Sequence, residues 1–176
     1  MRKNKEFADR FEEEDFKLLE DFNQVLNLKE LGQCPYSHHS DASGITTDGK
    51  VISIELKRRE QNLLDNVTIS GKTYTASTLY IETHKVGSML MDYVYCGITP
   101  LYINFLNDGV VVVHNLVKLS KIPNSVCKKI YSNLYQSFEL SKRLELPLMD
   151  AWIYRKEADG FKIISKPIKS NDKHIS

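Results

Sequence analysis

The chain has 176 residues, with 24 Lys and Arg against 23 Asp and Glu, 41% hydrophobic and 27% charged residues, and three Cys. That length suits one domain able to bury roughly two-thirds of its unfolded surface without a disulfide or metal staple, and no stretch nears the ~20 apolar residues that span a bilayer. A net charge of +1 sets up no global field toward nucleic acid or anionic lipid, so polyanion binding would need a local patch.

The start, MRKNKEFADRFEEEDF, is charged throughout and lacks the apolar core of a signal peptide, which makes a cytoplasmic location the expectation. Cys34, Cys96 and Cys127 are odd in number and contain no C-x-x-C pair, so they read as reduced thiols rather than as a disulfide framework or zinc site.

From Glu6 to about Leu28 the chain reads as a helix, because Phe7, Phe11, Leu18, Phe22 and Val25 recur at three- and four-residue steps. LGQCPY breaks it. TTDGK then places an Asp-Gly turn before the β-branched run VISIEL, the pattern of a hairpin. NVTISGKTYTAS reads as a second hairpin turning at Ser70-Gly71. Leu79, Val86, Leu90, Tyr93 and Val94 predict a helix from Thr78 to about Cys96, ending near Gly97. TPLYINFL and GVVVVHNL form a buried hairpin about Asn107, Asp108 and Gly109. Pro123 opens a predicted helix to about Leu144, carried by Val126, Ile130, Leu134, Phe138 and Ser141. MDAWIYRK and GFKIISK flank Asp159-Gly160 as a last hairpin, and the polar tail KSNDKHIS is expected to fray. This order predicts an α/β sandwich around a mixed sheet.

The segment richest in chemistry is Asp41 followed by Glu55-Leu56-Lys57. Alternate strand residues share a face, so Glu55 and Lys57 project together while Leu56 points to the opposite side. If the hairpin brings Asp41 beside Glu55, two carboxylates form an oxygen site for a hard cation such as Mg²⁺, and an adjacent ammonium can orient water or offset charge on a phosphate. Lys57, Arg58 and Arg59 make a basic cluster at the strand's end, and Lys50 is expected close to it across the hairpin. In ETHKVGSM, Glu82 and Lys85 share a side at i,i+3, and Lys85 is the choice for a phosphate or site contact. His38 and His39 lack the third spaced ligand that a metal reading needs. His114 reads as a strand-end histidine with a local hydrogen bond, and Tyr93, Tyr95, Tyr102, Tyr131 and Tyr135 as core or rim residues.

DASGITTDGKVISIELK resembles the active-site signature of the PD-(D/E)XK nuclease superfamily, with Ser40 where many members have Pro. The order of helix, signature strands, helix and further strands is similar to that superfamily's core over about residues 6–115. The resemblance implies a restriction-endonuclease-like fold: a central mixed β-sheet flanked by helices in three layers (α/β/α), forming a single domain over 1–176, with a helix and hairpin at 116–168 and a frayed tail at 169–176. It implies a metal-dependent DNA endonuclease, of restriction or Holliday-junction-resolvase type, using Mg²⁺ with Mn²⁺ as a substitute. Metal ligation falls on Asp41, Glu55 and the Leu56 carbonyl, and a catalytic role on Lys57. RFEEEDFKLLEDF looks like the acid-bearing first helix of restriction-type members, which points to Glu12, with Glu14 and Asp15 as alternatives. Arg58, Arg59, Lys85 and Lys50 are the expected DNA contacts. DNA is the implied partner, and a homodimer is compatible because members that cut both strands are commonly dimers. The alternative is a nuclease-fold module that binds nucleic acid or protein without catalysis.

Overall fold

The structure, a computed structural model, describes residues 2–35, 38–59, 63, 66–69, 72–75, 78–132 and 137–167. Helix α1 (Arg2–Leu26) buries Leu19, Phe22 and Leu26, which follow one another at helical spacing. It stops at Asn27, whose φ of 55° is a left-handed conformation that Asn tolerates. The Asn23 side chain then accepts the Leu28 N–H at 3.1 Å and donates to the Leu28 carbonyl at 3.2 Å, turning the chain from helix into strand β1 (Leu28–Gln33). Strand β2 (Ala42–Thr46) pairs antiparallel with β1 across a bulge at Leu28 and Glu30. Gly44 permits that close approach, since a Cβ there would lie 2.7 Å from Leu28 Cδ1 and 2.9 Å from the Glu30 carbonyl oxygen.

Asp48-Gly49 forms the expected turn into β3 (Val51–Arg59), with Gly49 at φ 88°. A small hairpin follows, β4 (Asn66–Ile69) with β5 (Lys72–Thr75); its expected turn at 70–71 lies outside the described residues. Next come β6 (Thr78–Glu82), helix α2 (Thr83–Cys96), β7 (Thr99–Leu106) and β8 (Val110–Asn115). The chain continues through β9 (Ser125–Ser132), β10 (Ser137–Pro147), a 3₁₀ turn (Leu148–Asp150), β11 (Ala151–Glu157) and β12 (Gly160–Ser165).

Seven strands form the main sheet in the order β1-β2-β3-β7-β8-β11-β12, all antiparallel neighbours except the parallel pair β3–β7. A second sheet runs β6-β10-β9. Strand alternation divides the core. Ile52, Ile54, Leu56, Leu101, Ile103, Phe105 and Trp152 pack under α1, where Phe22 meets Phe105, Tyr154 and Phe161 edge-on at ring separations of 5.0–6.1 Å. Tyr102, Val110 and Val112 on the opposite face pack with Val86 and Met89 of α2 and with Leu79, Ile81 and Leu146 of the small sheet.

Among the described residues the result is a mixed α/β fold with two α-helices, and three expectations change. Residues 125–132 and 137–147 form the paired strands β9 and β10 instead of a helix, because β10 finds strand partners on both sides, β6 and β9. The helix expected from Thr78 starts at Thr83: Leu79 and Ile81 alternate into the core as strand residues first. The layer opposite α1 is therefore part helix and part sheet, not all helix. The tail 169–176 lies outside the described residues. Among the described residues, no helix is long and apolar enough to cross a membrane.

Candidate active site

The parity of β3 decides which side chains converge. Ile52, Ile54 and Leu56 go under α1, so Ser53, Glu55, Lys57 and Arg59 point to the face bearing α2 and the small sheet. Glu55 is completely buried there. Asp41 is delivered by the hairpin. The β2–β3 ladder ends at Ala42 opposite Ile54, and one residue earlier the Asp41 N–H donates to the Ile54 carbonyl at 2.9 Å. The Asp41 side chain then replaces the next rung, its Oδ2 accepting the Leu56 N–H at 2.7 Å. Asp41 is thus fixed beside the Glu55–Lys57 face by backbone contacts to residues on either side of Glu55.

Helix α2 brings Lys85 to the same place. Its Nζ lies 2.6 Å from Glu55 Oε1 and 4.0 Å from Asp41 Oδ1, while Lys57 Nζ lies 2.9 Å from the same Glu55 Oε1. One oxygen of the buried carboxylate thus faces two ammonium groups. The other, Oε2, is buried with no hydrogen-bond partner among the described residues. Burial raises the Glu55 pKa above the ordinary carboxylate value, against the opposing pull of Lys57 and Lys85. Burial also disfavours the Lys57 charge, but Glu55, Glu82 and Asp41 outweigh it and hold the ammonium pKa above its usual value.

The donor chemistry suits a hard cation, with two carboxylates sharing Lys85 and one buried oxygen lacking a hydrogen-bond partner among the described residues. Among the described residues, no group of three or more His, Cys, Asp or Glu could hold a metal, so a cation held by Asp41 and Glu55 would complete its shell from backbone, water or substrate oxygens.

The acids of α1 sort themselves by position. Glu12 lies on the helix, but its side chain falls outside the described residues. Glu14 Oε2 pairs with Arg58 at 3.1 Å at the surface. Asp15 is more buried and sits 3.5 Å from Arg58 Nε. Burial raises its pKa, and its charge is felt by Arg58, Lys57 and Asp41, which places this acid at the edge of the site.

The expected basic cluster does not hold together. Lys50 precedes β3 and pairs with Asp48 at 3.1 Å, whereas Arg58 and Arg59 end that strand, about 25 Å away at the rise of an extended chain. Arg58 is bound to α1 through Glu14 and Asp15. Arg59 turns inward and donates to Asn104 Oδ1 at 3.1 Å, to the Tyr80 carbonyl at 2.9 Å and to the Tyr102 hydroxyl at 2.5 Å. It thereby ties β3 to β6 and β7.

The sequence reading missed Arg143. This β10 residue stands opposite Glu82 and donates to its carboxylate at 2.9 Å. Burial alone would raise the Glu82 pKa, but Lys57, a backbone N–H, Arg143 and Lys85 together hold it below the usual range. Alternation of Phe138, Leu140, Leu144 and Leu146 was the available signal that 137–147 is a strand. Tyr102 is core as expected, whereas Tyr93 and Tyr95 are exposed, and the Tyr131 and Tyr135 side chains lie outside the described residues. His38 and His39 stack at 4.2 Å, and His39 Nε2 lies 2.5 Å from Asp92 Oδ2 on α2.

No protein-family model matches the sequence, and no curated protein matches it. Among solved structures, the chain is similar to the Holliday junction resolvase Hjc from Archaeoglobus fulgidus, with 10% identity, a TM-score of 0.46, and coverage of 76% of this chain and 84% of that one. A likeness this slight assigns no function.

Proposed function

We propose that the chain is a metal-dependent nuclease that hydrolyses DNA phosphodiester bonds, on a restriction-endonuclease-like core of the PD-(D/E)XK type. The observation that carries this reading is the Glu55 carboxylate: fully buried, beside Asp41, with Lys57 and Lys85 on one oxygen and, among the described residues, no hydrogen-bond partner on the other. Burying a charge at such cost is characteristic of functional sites.

In this reading Asp41 and Glu55 hold Mg²⁺, or Mn²⁺ in its place, with the Leu56 carbonyl as a third ligand. When bound, the cation activates water at neutral pH and neutralises charge on the phosphate oxygens. Lys57 remains an ammonium, since three carboxylates keep its proton in place. It therefore serves as a fixed cation and hydrogen-bond donor toward the developing phosphate charge, not as the group that removes a proton from water. Asp15, with Glu12 as the neighbouring alternative on α1, completes the acidic wall. Arg59, on the same face as Glu55 and Lys57, ties the strand to β6 and β7. DNA is engaged through its backbone, by charge and shape.

The experiment is incubation with supercoiled, linear, single-stranded and four-way-junction DNA in Mg²⁺, Mn²⁺ or EDTA, alongside Glu55→Ala and Lys57→Ala. The expected outcome is metal-dependent nicking of at least one substrate, lost in both variants. No cleavage under any condition, or equal cleavage by the variants, overturns the reading.

One observation favours the second reading, a nuclease-fold binding module without catalysis: two ammonium groups already neutralise Glu55. That module would bind DNA equally with or without divalent metal and cleave none of the four forms.

A further inference from the structure

We propose that Lys85 is a built-in competitor for the divalent cation at the Asp41–Glu55 carboxylates, so that metal enters the site as the Lys85 ammonium withdraws. The inference rests on the metal-site reading above and adds a means by which the protein sets its own metal affinity.

Three features of the site carry it. Among the described residues, Lys85 is the cation within 4.0 Å of both carboxylates, at 2.6 Å from Glu55 and 4.0 Å from Asp41, whereas the Lys57 ammonium contacts Glu55. An ammonium between two carboxylates meets the same electrostatic demand as a metal ion there, and the two repel one another strongly across a few ångströms of poorly screened interior. The second feature is where Lys85 is attached. It stands in the first turn of α2 (Thr83–Cys96), where the exposed N–H groups and the helix dipole disfavour a cation. Its place is therefore kept chiefly by these two carboxylates, with a weaker attraction from Glu82, and a competing cation removes most of that hold. Lys57 is rooted within β3 and is coupled to Glu82 more strongly than Lys85 is, so it has more reason to stay. The third is a way out: the Lys85 side chain remains 23% exposed, on a long stem that can carry the ammonium to solvent or to a substrate phosphate.

A role for Lys85 confined to phosphate contact leaves metal affinity without DNA unchanged by its removal. Competition makes the opposite demand: Lys85→Met and Lys85→Gln bind metal more tightly than the wild type, by about tenfold or more. Lys57→Met, which leaves Lys85 between the carboxylates, gains less.

The test is isothermal titration calorimetry of Mn²⁺ alone into the full chain, without DNA, for the wild type, Lys85→Met, Lys85→Gln, Lys57→Met and Glu55→Ala, with thermal melts to confirm that each is folded. Tighter binding by both Lys85 variants, with binding abolished in Glu55→Ala, supports competition. Equal or weaker binding by the Lys85 variants, with Glu55→Ala still abolishing it, overturns competition while leaving the metal-site reading standing. Absence of Mn²⁺ binding in every protein overturns both. A crystal structure of the wild type with Mn²⁺ located by its anomalous signal gives a check independent of any variant. Lys85 Nζ must then stand clear of both carboxylates, and a contact kept alongside bound Mn²⁺ overturns the proposal.

Discussion

The Asp41 carboxylate accepts the Leu56 backbone N–H at 2.7 Å, standing in for a strand neighbour where the β2–β3 ladder ends. On the proposed function one side chain therefore has a structural and a chemical role, and substitution can separate the two. Asp41→Ala leaves that N–H without its acceptor and is expected to lose about 1–3 kcal/mol of stability, the range for an unsatisfied partly buried group. Asp41→Asn keeps an acceptor oxygen and is expected to lose about 1 kcal/mol or less, yet to lose metal-dependent cleavage as fully as the alanine variant. Urea unfolding beside a nicking assay checks both, and equal stability of the two variants would remove the structural role.

Arg58 and Arg59 are neighbours in sequence with unequal expected effects. Arg59 serves three acceptors on β6 and β7, and Arg59→Ala is expected to cost about 2–4 kcal/mol by leaving Asn104 and Tyr102 short of partners. Arg58 is 36% exposed and pairs with acids on the helix surface, so Arg58→Ala is expected to cost less than about 1 kcal/mol. Chemical denaturation of the two variants decides the order.

Lys57 is held protonated by Glu55, Glu82 and Asp41. Its folded-state pKa is raised, so the stability it contributes is complete below the ordinary lysine value of about 10.5 and fades only as pH climbs above that value toward the folded one. Titration of Lys57 should therefore leave no inflection in a cleavage–pH profile between pH 6 and about 10. Lys57→Met is expected to cut cleavage by roughly 100-fold or more, and Lys57→Arg to retain more of it. An alkaline inflection near pH 8 that vanishes in Lys57→Arg would instead make Lys57 a base.

His114 is fully buried, and burial lowers its pKa to about 4 despite the hydrogen bond to Pro147. A carbonyl can only accept, so the ring donates from Nε2 to the Pro147 oxygen at 3.0 Å and Nδ1 carries the lone pair. A lowered folded pKa means that the unfolded chain binds the extra proton first. Stability is complete above about pH 6.5 and declines as pH falls toward 4, by on the order of 3 kcal/mol. His114→Gln should flatten that part of the curve in urea titrations at pH 4.5 and 7.

The hairpin carrying Asp41 and Glu55 was legible because its signals are local: an Asp-Gly turn and β-branched alternation within about 20 residues. The β9–β10 hairpin was not. Val126, Ile130, Leu134 and Phe138 fit a four-residue step as well as Phe138, Leu140, Leu144 and Leu146 fit a two-residue one, and the partner that decides between them is β6, 61 residues away at the Arg143–Glu82 pair. The assignment of Glu82 to a helix failed for the same reason. The Lys50 error was one of distance, since residues at opposite ends of a nine-residue strand cannot share a patch. The inward turn of Arg59 depends on Tyr80, Tyr102 and Asn104, which come from two other strands.

The parallel pairing of β3 with β7 has a consequence for the order in which the protein assembles. A parallel neighbour requires a crossover, and here the excursion from Arg59 to Thr99 contains β6 and α2, hence Glu82 and Lys85. The β2–β3 turn, by contrast, closes locally and sets two acids side by side before the lysine 30 residues downstream from Glu55 has arrived. During refolding those acids are expected to repel one another, offset in part by Lys57 of the same strand, until the crossover brings Lys85. Added salt, by screening that repulsion, should therefore quicken refolding in stopped-flow experiments, and Asp41→Asn should lose that part of the acceleration.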